Sequence, residues 1–305
     1  MDIRRHVSKI GWAYVVFLIV SGVAQIGVVV LLNILRPLMF LTAFGGQTML
    51  LISQLIMYGV GFPVFWLMMK QIPSWKMVEK KDLTGGQFLL AAVVCFGATY
   101  IGNIVGQGLM ALTGQLTGSE SINPLLQVIE DMDLGMVMLT TVIIAPIMEE
   151  LMFRKFLIDR LVPLGQKTAV ILSGLSFGLF HGNFYQFFYA TLLGMIFAYL
   201  YSYTGKIRYN ILLHMMINVV GGVFSLMLVR EADQGTVFAM VFGALLGFLV
   251  IGSIIAVIVL AIVRYRKLRW FPAWEYPEQG MFLTLIKAPG VWGFFLSCGI
   301  AFLFQ

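Results

Sequence analysis

The chain has 305 residues, of which 60% are hydrophobic and only 11% are charged. Soluble domains carry roughly 25% charged residues, so this chain has too little polar surface to cover a water-soluble globule, and we expect lipid to surround most of it. The net charge of +6 is typical of a membrane protein with basic loops and does not predict a nucleic-acid ligand. Cys95 and Cys298 lie far apart in apolar segments, which favours two small buried side chains over a disulfide or a metal site.

Apolar segments of about 20 residues match a hydrocarbon core of about 30 Å at a helical rise of 1.5 Å per residue. They predict an all-α polytopic transmembrane helical bundle with eight spans, or nine if both short segments, the fifth and the last, cross the bilayer. The first segment is longer than the apolar region of a signal peptide, and we expect it to be retained. The nine segments are 12–34, 48–69, 88–113, 135–156, 168–182, 185–203, 210–228, 237–263 and 290–304.

The basic residues predict the orientation, because basic loops stay on the cytoplasmic side. With a cytoplasmic N-terminus, only Arg36 and Arg230 fall outside, and the other eighteen of the 20 basic residues fall inside. The basic and aromatic segment 264–271 predicts an anchor on anionic membrane lipids. The inside residues are Arg4, Arg5, Lys9, Lys70, Lys76, Lys80, Lys81, Arg154, Lys155, Arg160, Lys167, Lys206, Arg208, Arg264, Arg266, Lys267, Arg269 and Lys287.

Pairs of glycines four residues apart predict sites where two helices approach closely, because a small side chain lets the backbones meet. The three pairs are Gly102/Gly106, Gly174/Gly178 and Gly243/Gly247.

The fourth segment carries four ionisable side chains, Glu149, Glu150, Arg154 and Lys155, although each costs about 2.5–3.5 kcal/mol within a bilayer. Glu150 and Arg154 are four residues apart, so they share one helix face and can form an ion pair. Glu149 points about 100° away from Glu150, which leaves its carboxylate for another partner. Pro146, just before them, lacks a backbone N–H and predicts a local distortion of the helix.

Two further polar pairs with the same spacing lie in later segments. Phe177 and His181 are four residues apart in the fifth segment, and His214 and Asn218 are four apart in the seventh. Two of the three histidines therefore lie in predicted spans. Either histidine, or Asn218, taken alone is also consistent with a hydrogen bond between helices.

Counting residues from the predicted turn at Gly165 places these groups at a common depth. Glu149 lies as many residues before Gly165 as His181 lies after it, which means equal depth in an antiparallel helix pair. His214 lies six residues after Arg208, much as Glu149 lies five residues before Arg154, so both are roughly 8–9 Å from those basic residues at the helical rise. Glu149, His181 and His214 are therefore predicted to converge in the cytoplasmic half of the bilayer.

Two kinds of chemistry fit such a set. A sheltered carboxylate beside an imidazole can activate water for attack on a carbonyl, and a second histidine with an asparagine can stabilise the oxyanion that forms. Alternatively, Glu149, His181 and His214 make a plausible Zn²⁺ site with an open position for water. The helical His-Glu-x2-His zinc motif is absent from the chain, and both mechanisms stay open at this point.

These residues resemble the three-motif signature of the CAAX protease and bacteriocin-processing (CPBP) family, which includes the Ras-converting CAAX prenyl endopeptidases and the bacterial Abi proteins. The resemblance covers about 145–220. Its motifs are Glu149-Glu150-x3-Arg154, Phe177-x3-His181 and His214-x3-Asn218.

The resemblance implies an intramembrane endopeptidase of eight helices, a metalloprotease or a glutamate protease, with a cavity open to the cytosol. It implies that Glu149 is the base and that His181 is its partner in holding water. His214 and Asn218 would stabilise the oxyanion. Glu150 and Arg154 would support the site, with Phe177 as a packing residue.

The composition predicts one membrane domain, which we expect in a plasma membrane. The resemblance implies a peptide or membrane protein as substrate, with a role in bacteriocin maturation, signal-peptide maturation or self-immunity. The alternatives are a non-catalytic immunity or partner-binding membrane protein and, third, a proton-coupled transporter. The predicted parts are residues 1–133 with the first three helices, 134–228 with the three motifs, and 229–305 with the C-terminal helices and a basic loop.

Overall fold

The computed structural model describes residues 2–35, 46–75, 81–118, 132–232, 235–264, 270–273, 284–285 and 287–304. Over these ranges the fold is helical and contains no β-strand. Each of the nine predicted segments coincides with a helix. The helices are α1 (Ile3–Leu35), α2 (Gly46–Lys70), α3 (Gly85–Thr117), α4 (Leu134–Leu164), α5 (Gln166–Phe180), α6 (Phe184–Thr204), α7 (Ile207–Ala232), α8 (Val237–Arg264) and α9 (Pro289–Ala301).

Seven of these helices are long and apolar enough to cross a bilayer: α1, α2, α3, α4, α6, α7 and α8. The remaining two are α5, with 15 residues, and α9, with 13 residues. They correspond to the two segments that the sequence marks as short. The protein is therefore an all-helical, membrane-integral protein, while the count of eight or nine spans and the cytoplasmic N-terminus stay predictions.

Helix α4 is longer than its predicted span, because it continues past residue 156 to Leu164. Arg154 and Arg160 therefore lie on the helix, and both side chains are buried. Apolar residues such as Ile158 are also buried on this last stretch and keep it packed. The turn predicted at Gly165 is confirmed, since its φ of 96° is a conformation that favours glycine.

The chain divides into two compact units. The first comprises Met1–Pro73, Pro124–Thr140 and Gln279–Ser297. Its core is aromatic: the Tyr14 ring lies 4.8 Å from that of Phe65 and 5.2 Å from that of Phe294, measured between centroids. The backbone N–H of Gly290 donates to the Ser8 hydroxyl at 3.0 Å, which joins α9 to α1.

The second unit comprises Ser74–Asn123, Thr141–Glu278 and Cys298–Gln305. Its core is an apolar cluster to which α3 contributes Cys95, α6 contributes Phe197 and α7 contributes Leu213. Cys95 and Cys298 are both buried free thiols, as the sequence predicts. All three sequence motifs lie in this unit, so α4, α5, α6 and α7 position the candidate site.

Two of the three predicted glycine pairs lie at close helix contacts. A Cβ added at Gly102 would overlap the backbone of Tyr189 on α6, and a Cβ at Gly178 would overlap the Thr191 side chain on the same helix. By contrast, a Cβ at Gly247 would meet no described atom within 4 Å. Close packing at that third pair is therefore wrong for Gly247, while the first two pairs hold α3 and α5 against α6.

Candidate active site

A distorted stretch of α4 precedes the two glutamates. Met138–Ile144 is π-helical, a form in which each N–H bonds the carbonyl five residues earlier. The Thr141 carbonyl would need the N–H of residue 146, which is a proline and has none. Asn218 on α7 donates its side-chain N–H to this carbonyl at 2.7 Å. The predicted distortion at Pro146 thus creates an acceptor that joins α4 to α7.

The predicted ion pair on α4 is present. Arg154 Nε lies 3.0 Å from Glu150 Oε2, and both side chains are fully buried. The neighbouring Glu149 points to another face of the helix, and its side chain is 13% exposed. Glu150 is therefore a charge-balanced carboxylate within the protein, whereas Glu149 keeps some access to its surroundings.

His214 lies between the two carboxylates and is buried. Its Nδ1 is 3.0 Å from Glu150 Oε1, which is hydrogen-bonding distance. Its Nε2 is 3.7 Å from Glu149 Oε2, which is too long for a direct hydrogen bond. An ionised Glu150 can only accept, so the Nδ1 carries a proton and the Nε2 faces Glu149.

His181 is placed slightly differently from the prediction, because it is the first residue after α5 and caps the end of that helix. Its Nδ1 donates to the Phe177 carbonyl at 2.7 Å. A carbonyl oxygen only accepts, so this Nδ1 carries the proton, and in the neutral ring the Nε2 is an acceptor. Asn183 fixes the same turn, since it donates to the His181 carbonyl at 2.9 Å and its side chain caps α6.

Phe177 connects the two imidazoles. Its ring lies edge-on to both, with centroid distances of 4.8 Å to His181 and 5.8 Å to His214. The guanidinium of Arg154 lies 4.4 Å from the centre of the same ring, a cation–π distance. The structure thus brings Glu149, Glu150 and His214 into one cluster, and the Phe177 ring contacts both His181 and His214.

Sequence reasoning missed one member of this cluster. Asn210 is fully buried and donates to Glu150 Oε2 at 3.3 Å and to the Phe197 carbonyl at 2.7 Å. Its signal was present, because Asn210 lies four residues before His214 and eight before Asn218 on one face of α7.

A metal ion needs a set of ligands that converge on one point. Among the residues that the structure describes, no group of three or more His, Cys, Asp and Glu side chains converges in this way. The candidate ligands Glu149, His181 and His214 therefore do not fit a zinc ion in the arrangement described.

Comparison with known proteins gives two matches. The family model described as "Rce1-like: Type II CAAX prenyl endopeptidase Rce1-like" matches residues 132–220. A Bacillus subtilis (strain 168) protein named "Putative membrane peptidase YdiL" is 29% identical over 189 residues, which cover 60% of this chain and 75% of the relative. No solved structure matches the chain. The resemblance to the CAAX protease family that the three motifs carry is therefore confirmed. The match to the Rce1-like family model spans residues 132–220, which include all three motifs.

Proposed function

We propose that this protein is an intramembrane endopeptidase that hydrolyses a peptide bond with a water molecule activated by Glu149 and His214. The observation that carries the proposal is the position of the His214 ring, 3.0 Å from one carboxylate and 3.7 Å from the other. The family match and the name of the Bacillus subtilis relative support peptidase activity of this type.

Charge balance suggests how the cluster handles a proton. Glu150 and Arg154 neutralise each other, so an ionised Glu149 beside a neutral His214 leaves one excess negative charge. An uncompensated charge is costly in a low-dielectric environment. Uptake of one proton by the Glu149–His214 pair removes this cost, which makes the pair a good acceptor for a proton from water.

The two histidines are suited to different tasks. With its Nδ1–H bonded to the Phe177 carbonyl, a neutral His181 offers its Nε2 as an acceptor, which can orient a water molecule. His214 has its Nδ1–H bonded to Glu150, so its Nε2 becomes a donor only after the pair has gained a proton. A protonated His214 can then stabilise the oxyanion.

The proposed reaction is direct hydrolysis by one water molecule. The water oxygen forms a bond to the carbonyl carbon while the Glu149–His214 pair takes one water proton. The carbon–nitrogen bond of the tetrahedral intermediate then breaks, and the pair returns that proton to the leaving amine. The products are a carboxylic acid and an amine, and no covalent enzyme intermediate forms.

Asn218 has a proposed place beside His214 in oxyanion stabilisation. One hydrogen of its amide is used in the bond to the Thr141 carbonyl. The second hydrogen of the amide is a further donor. Anchoring through the first bond would hold that second donor at a fixed angle.

The proposed substrates are peptides or membrane proteins, and the proposed setting is a bacterial plasma membrane with the site open to the cytoplasm. Eighteen of 20 basic residues on one predicted side support this orientation, and the matched relative is a bacterial protein. Maturation of bacteriocins or signal peptides, or self-immunity, is the role we favour. Membrane lipids and the substrate are the proposed partners.

The experiment that tests this proposal uses purified protein in liposomes with a library of membrane peptides and mass-spectrometric readout. We expect wild type to cleave a subset of the peptides and Glu149→Gln to cleave none of them at a comparable rate. Glu231→Gln is the matched control, because it makes the same change at a carboxylate that accepts from the Thr236 hydroxyl instead.

Each arm of this experiment discriminates between the alternatives. Equal cleavage by wild type and Glu149→Gln contradicts water activation by Glu149. No cleavage by either protein contradicts peptidase activity and favours a non-catalytic or transport function. A parallel arm with a chelator tests the zinc alternative. Loss of cleavage on chelation, restored by added Zn²⁺, would replace the metal-free mechanism.

A further inference from the structure

The Glu150 carboxylate pairs with the Arg154 guanidinium and accepts hydrogen bonds from Asn210 and His214. Oε2 lies 3.0 Å from Arg154 Nε and 3.3 Å from the amide nitrogen of Asn210. Oε1 lies 3.0 Å from His214 Nδ1. Arg154 and Asn210 therefore share one oxygen, which leaves the other directed at the imidazole.

The two partners of Oε2, one in an ion pair and one in a hydrogen bond, constrain the carboxylate in different ways. Arg154 is one turn away from Glu150 on the same helix, so it moves with α4. Asn210 lies on α7, one turn before His214, and its amide nitrogen also donates to the Phe197 carbonyl of α6 at 2.7 Å. The bond from Asn210 thus fixes the carboxylate relative to the helix that carries the imidazole.

We propose that Asn210 is a positioning residue, which holds the Glu150 carboxylate in the orientation that fixes the ring and the proton of His214. This inference rests on the proposed function for its kinetic consequence, although the effect on the imidazole itself does not. Asn210 is not expected to touch the substrate, because its side chain is fully buried.

The physical reason is the soft terminal torsion of a glutamate side chain. Rotation about the bond that carries the carboxylate has a broad energy profile. Removing the Asn210 donor leaves Oε2 with a partner on its own helix, and the carboxylate can then turn away from His214. The hydrogen bond to Glu150 keeps the proton of a neutral His214 on Nδ1 and fixes the angle of the ring. Without this bond, His214 would populate both tautomers and more than one ring angle.

The test compares Asn210→Leu, which removes the donor at similar volume, with Gln166→Leu as the matched control. Gln166 is an equally buried amide in the same unit, and it donates to the Ser202 hydroxyl at 2.7 Å, outside the cluster. Two quantities are measured: the ¹⁵N spectrum of labelled imidazoles, of which the chain has three, and kcat and KM for a peptide that wild type cleaves.

For Asn210→Leu we expect the ¹⁵N signals of His214 to change from one tautomer to a mixture. We expect kcat to fall about 10–100-fold, as is typical when a residue that orients a catalytic group is removed, with little change in KM. Gln166→Leu is expected to lower thermal stability and to leave both the imidazole spectrum and kcat as in wild type. If Asn210→Leu does not fold, Asn210→Ala replaces it in both measurements.

An unchanged His214 spectrum in the folded variant overturns the inference, whatever the activity. The same spectral change and kcat loss in Gln166→Leu would also overturn it, because the effect would then follow from any lost buried amide. If wild type cleaves nothing, the proposed function fails on that ground, and the imidazole spectrum alone decides the role of Asn210.

Discussion

The Glu150 side chain illustrates how a charge is kept inside this protein. Full burial of a carboxylate is costly unless it is paired and hydrogen-bonded. Here Arg154, Asn210 and His214 together supply the compensating charge and hydrogen bonds. The same bonds that make the charge tolerable also contact His214, so stability and the proposed catalytic geometry depend on one side chain.

We predict that Glu150→Leu destabilises the protein by about 3 kcal/mol, because it leaves the Arg154 guanidinium buried without its carboxylate. The double variant Glu150→Leu/Arg154→Met should recover most of that stability, since it removes both charges. Neither variant has an acceptor for His214 Nδ1, so peptide cleavage should stay at least tenfold below wild type in both.

Unfolding in denaturant and initial cleavage rates measure these two effects separately. If Glu150→Leu alone is as stable as wild type, the predicted cost of leaving the Arg154 guanidinium buried without its carboxylate is wrong. A double variant with wild-type activity would show that Glu150 has no part in placing the imidazole.

At the level of single residues, the sequence predicts local relations well and distant ones poorly. The pair of Glu150 and Arg154 follows from helical spacing alone, which is why it was predictable. Asn210 meets Glu150 across 60 residues of chain, so only the packing of α7 on α4 brings them together. His181 was predicted within its helix but is the first residue after it, because apolar pattern alone does not locate the last helical residue.

Among the secondary-structure elements, the packing of α6 against α3 and α5 depends on glycines. The backbone of Tyr189 occupies the space where a Gly102 side chain would lie. Such contacts let two helices approach closely, which strengthens dispersion and backbone interactions in a membrane. These contacts also fix the positions of residues in the candidate site, because α5 carries Phe177 and α6 carries the Phe197 carbonyl.

We predict that Gly102→Leu lowers the free energy of unfolding by about 1–3 kcal/mol, as overpacked contacts do. The matched control is Gly247→Leu, where a Cβ meets no described atom within 4 Å, and it should leave stability unchanged. Denaturant unfolding in detergent measures both. Equal losses of unfolding free energy in the two variants would mean that the close contact at Gly102 does not contribute to stability.

An ion-pair network at the start of α3 contributes to folding stability in a pH-dependent way. Asp82 lies just before this helix and contacts Lys206 and Arg208, with the Tyr209 hydroxyl donating to it at 2.8 Å. The hydrogen bond from Lys206 is the largest cause that lowers the pKa of Asp82 to about 2. Because a carboxylate with a lowered pKa stabilises the fold only when ionised, this contribution is present above about pH 4 and is lost toward pH 2.

We predict a small loss of thermal stability for Asp82→Asn at neutral pH, since the group is exposed and solvent screens it. The difference in Tm from wild type should shrink as the pH falls from about 4 to about 2, and also in high salt. A Tm difference that persists unchanged at about pH 2 would assign the effect to packing instead of charge.

Element positions were the most predictable part of the fold. All nine apolar segments coincide with helices, because a bilayer demands long apolar runs with internally bonded backbones. The glycine pairs were less reliable. A small-x3-small pattern permits a close contact but does not specify a partner, and Gly247 has none among the described residues within 4 Å.

At the scale of the whole molecule, the distribution of basic residues predicts a cytoplasmic N-terminus. We therefore expect Arg230→Cys to react with an impermeant maleimide in intact cells. Lys167→Cys should react only after the membrane is opened. Both are made in a background with Cys95→Ala and Cys298→Ala, which removes the two native thiols.

The reverse labelling pattern would show that the protein has the opposite orientation in the membrane, with the candidate site near the other surface. Equal labelling of both positions in intact cells would contradict the odd number of spans that separates them.

The convergence of distant motifs was predictable only in outline. Equal spacing about Gly165 suggests that Glu149 and His181 lie at similar depth, but no residue count gives the rotation of α7 that places His214 between Glu149 and Glu150. That rotation follows from the Asn218 bond to the Thr141 carbonyl and from the apolar cluster around Phe197. Such tertiary bonds become visible only in three dimensions.

The rate of peptide cleavage by Glu149→Gln in liposomes, measured together with its unfolding temperature, bears most directly on water activation by this carboxylate. The substitution removes a carboxylate whose Oε2 lies 3.7 Å from His214 Nε2, too far for a direct hydrogen bond. We predict a kcat at least 100-fold below wild type, the lower bound for loss of a general base, with an unchanged Tm. A folded Glu149→Gln that cleaves within a few-fold of wild type would show that another group activates the water.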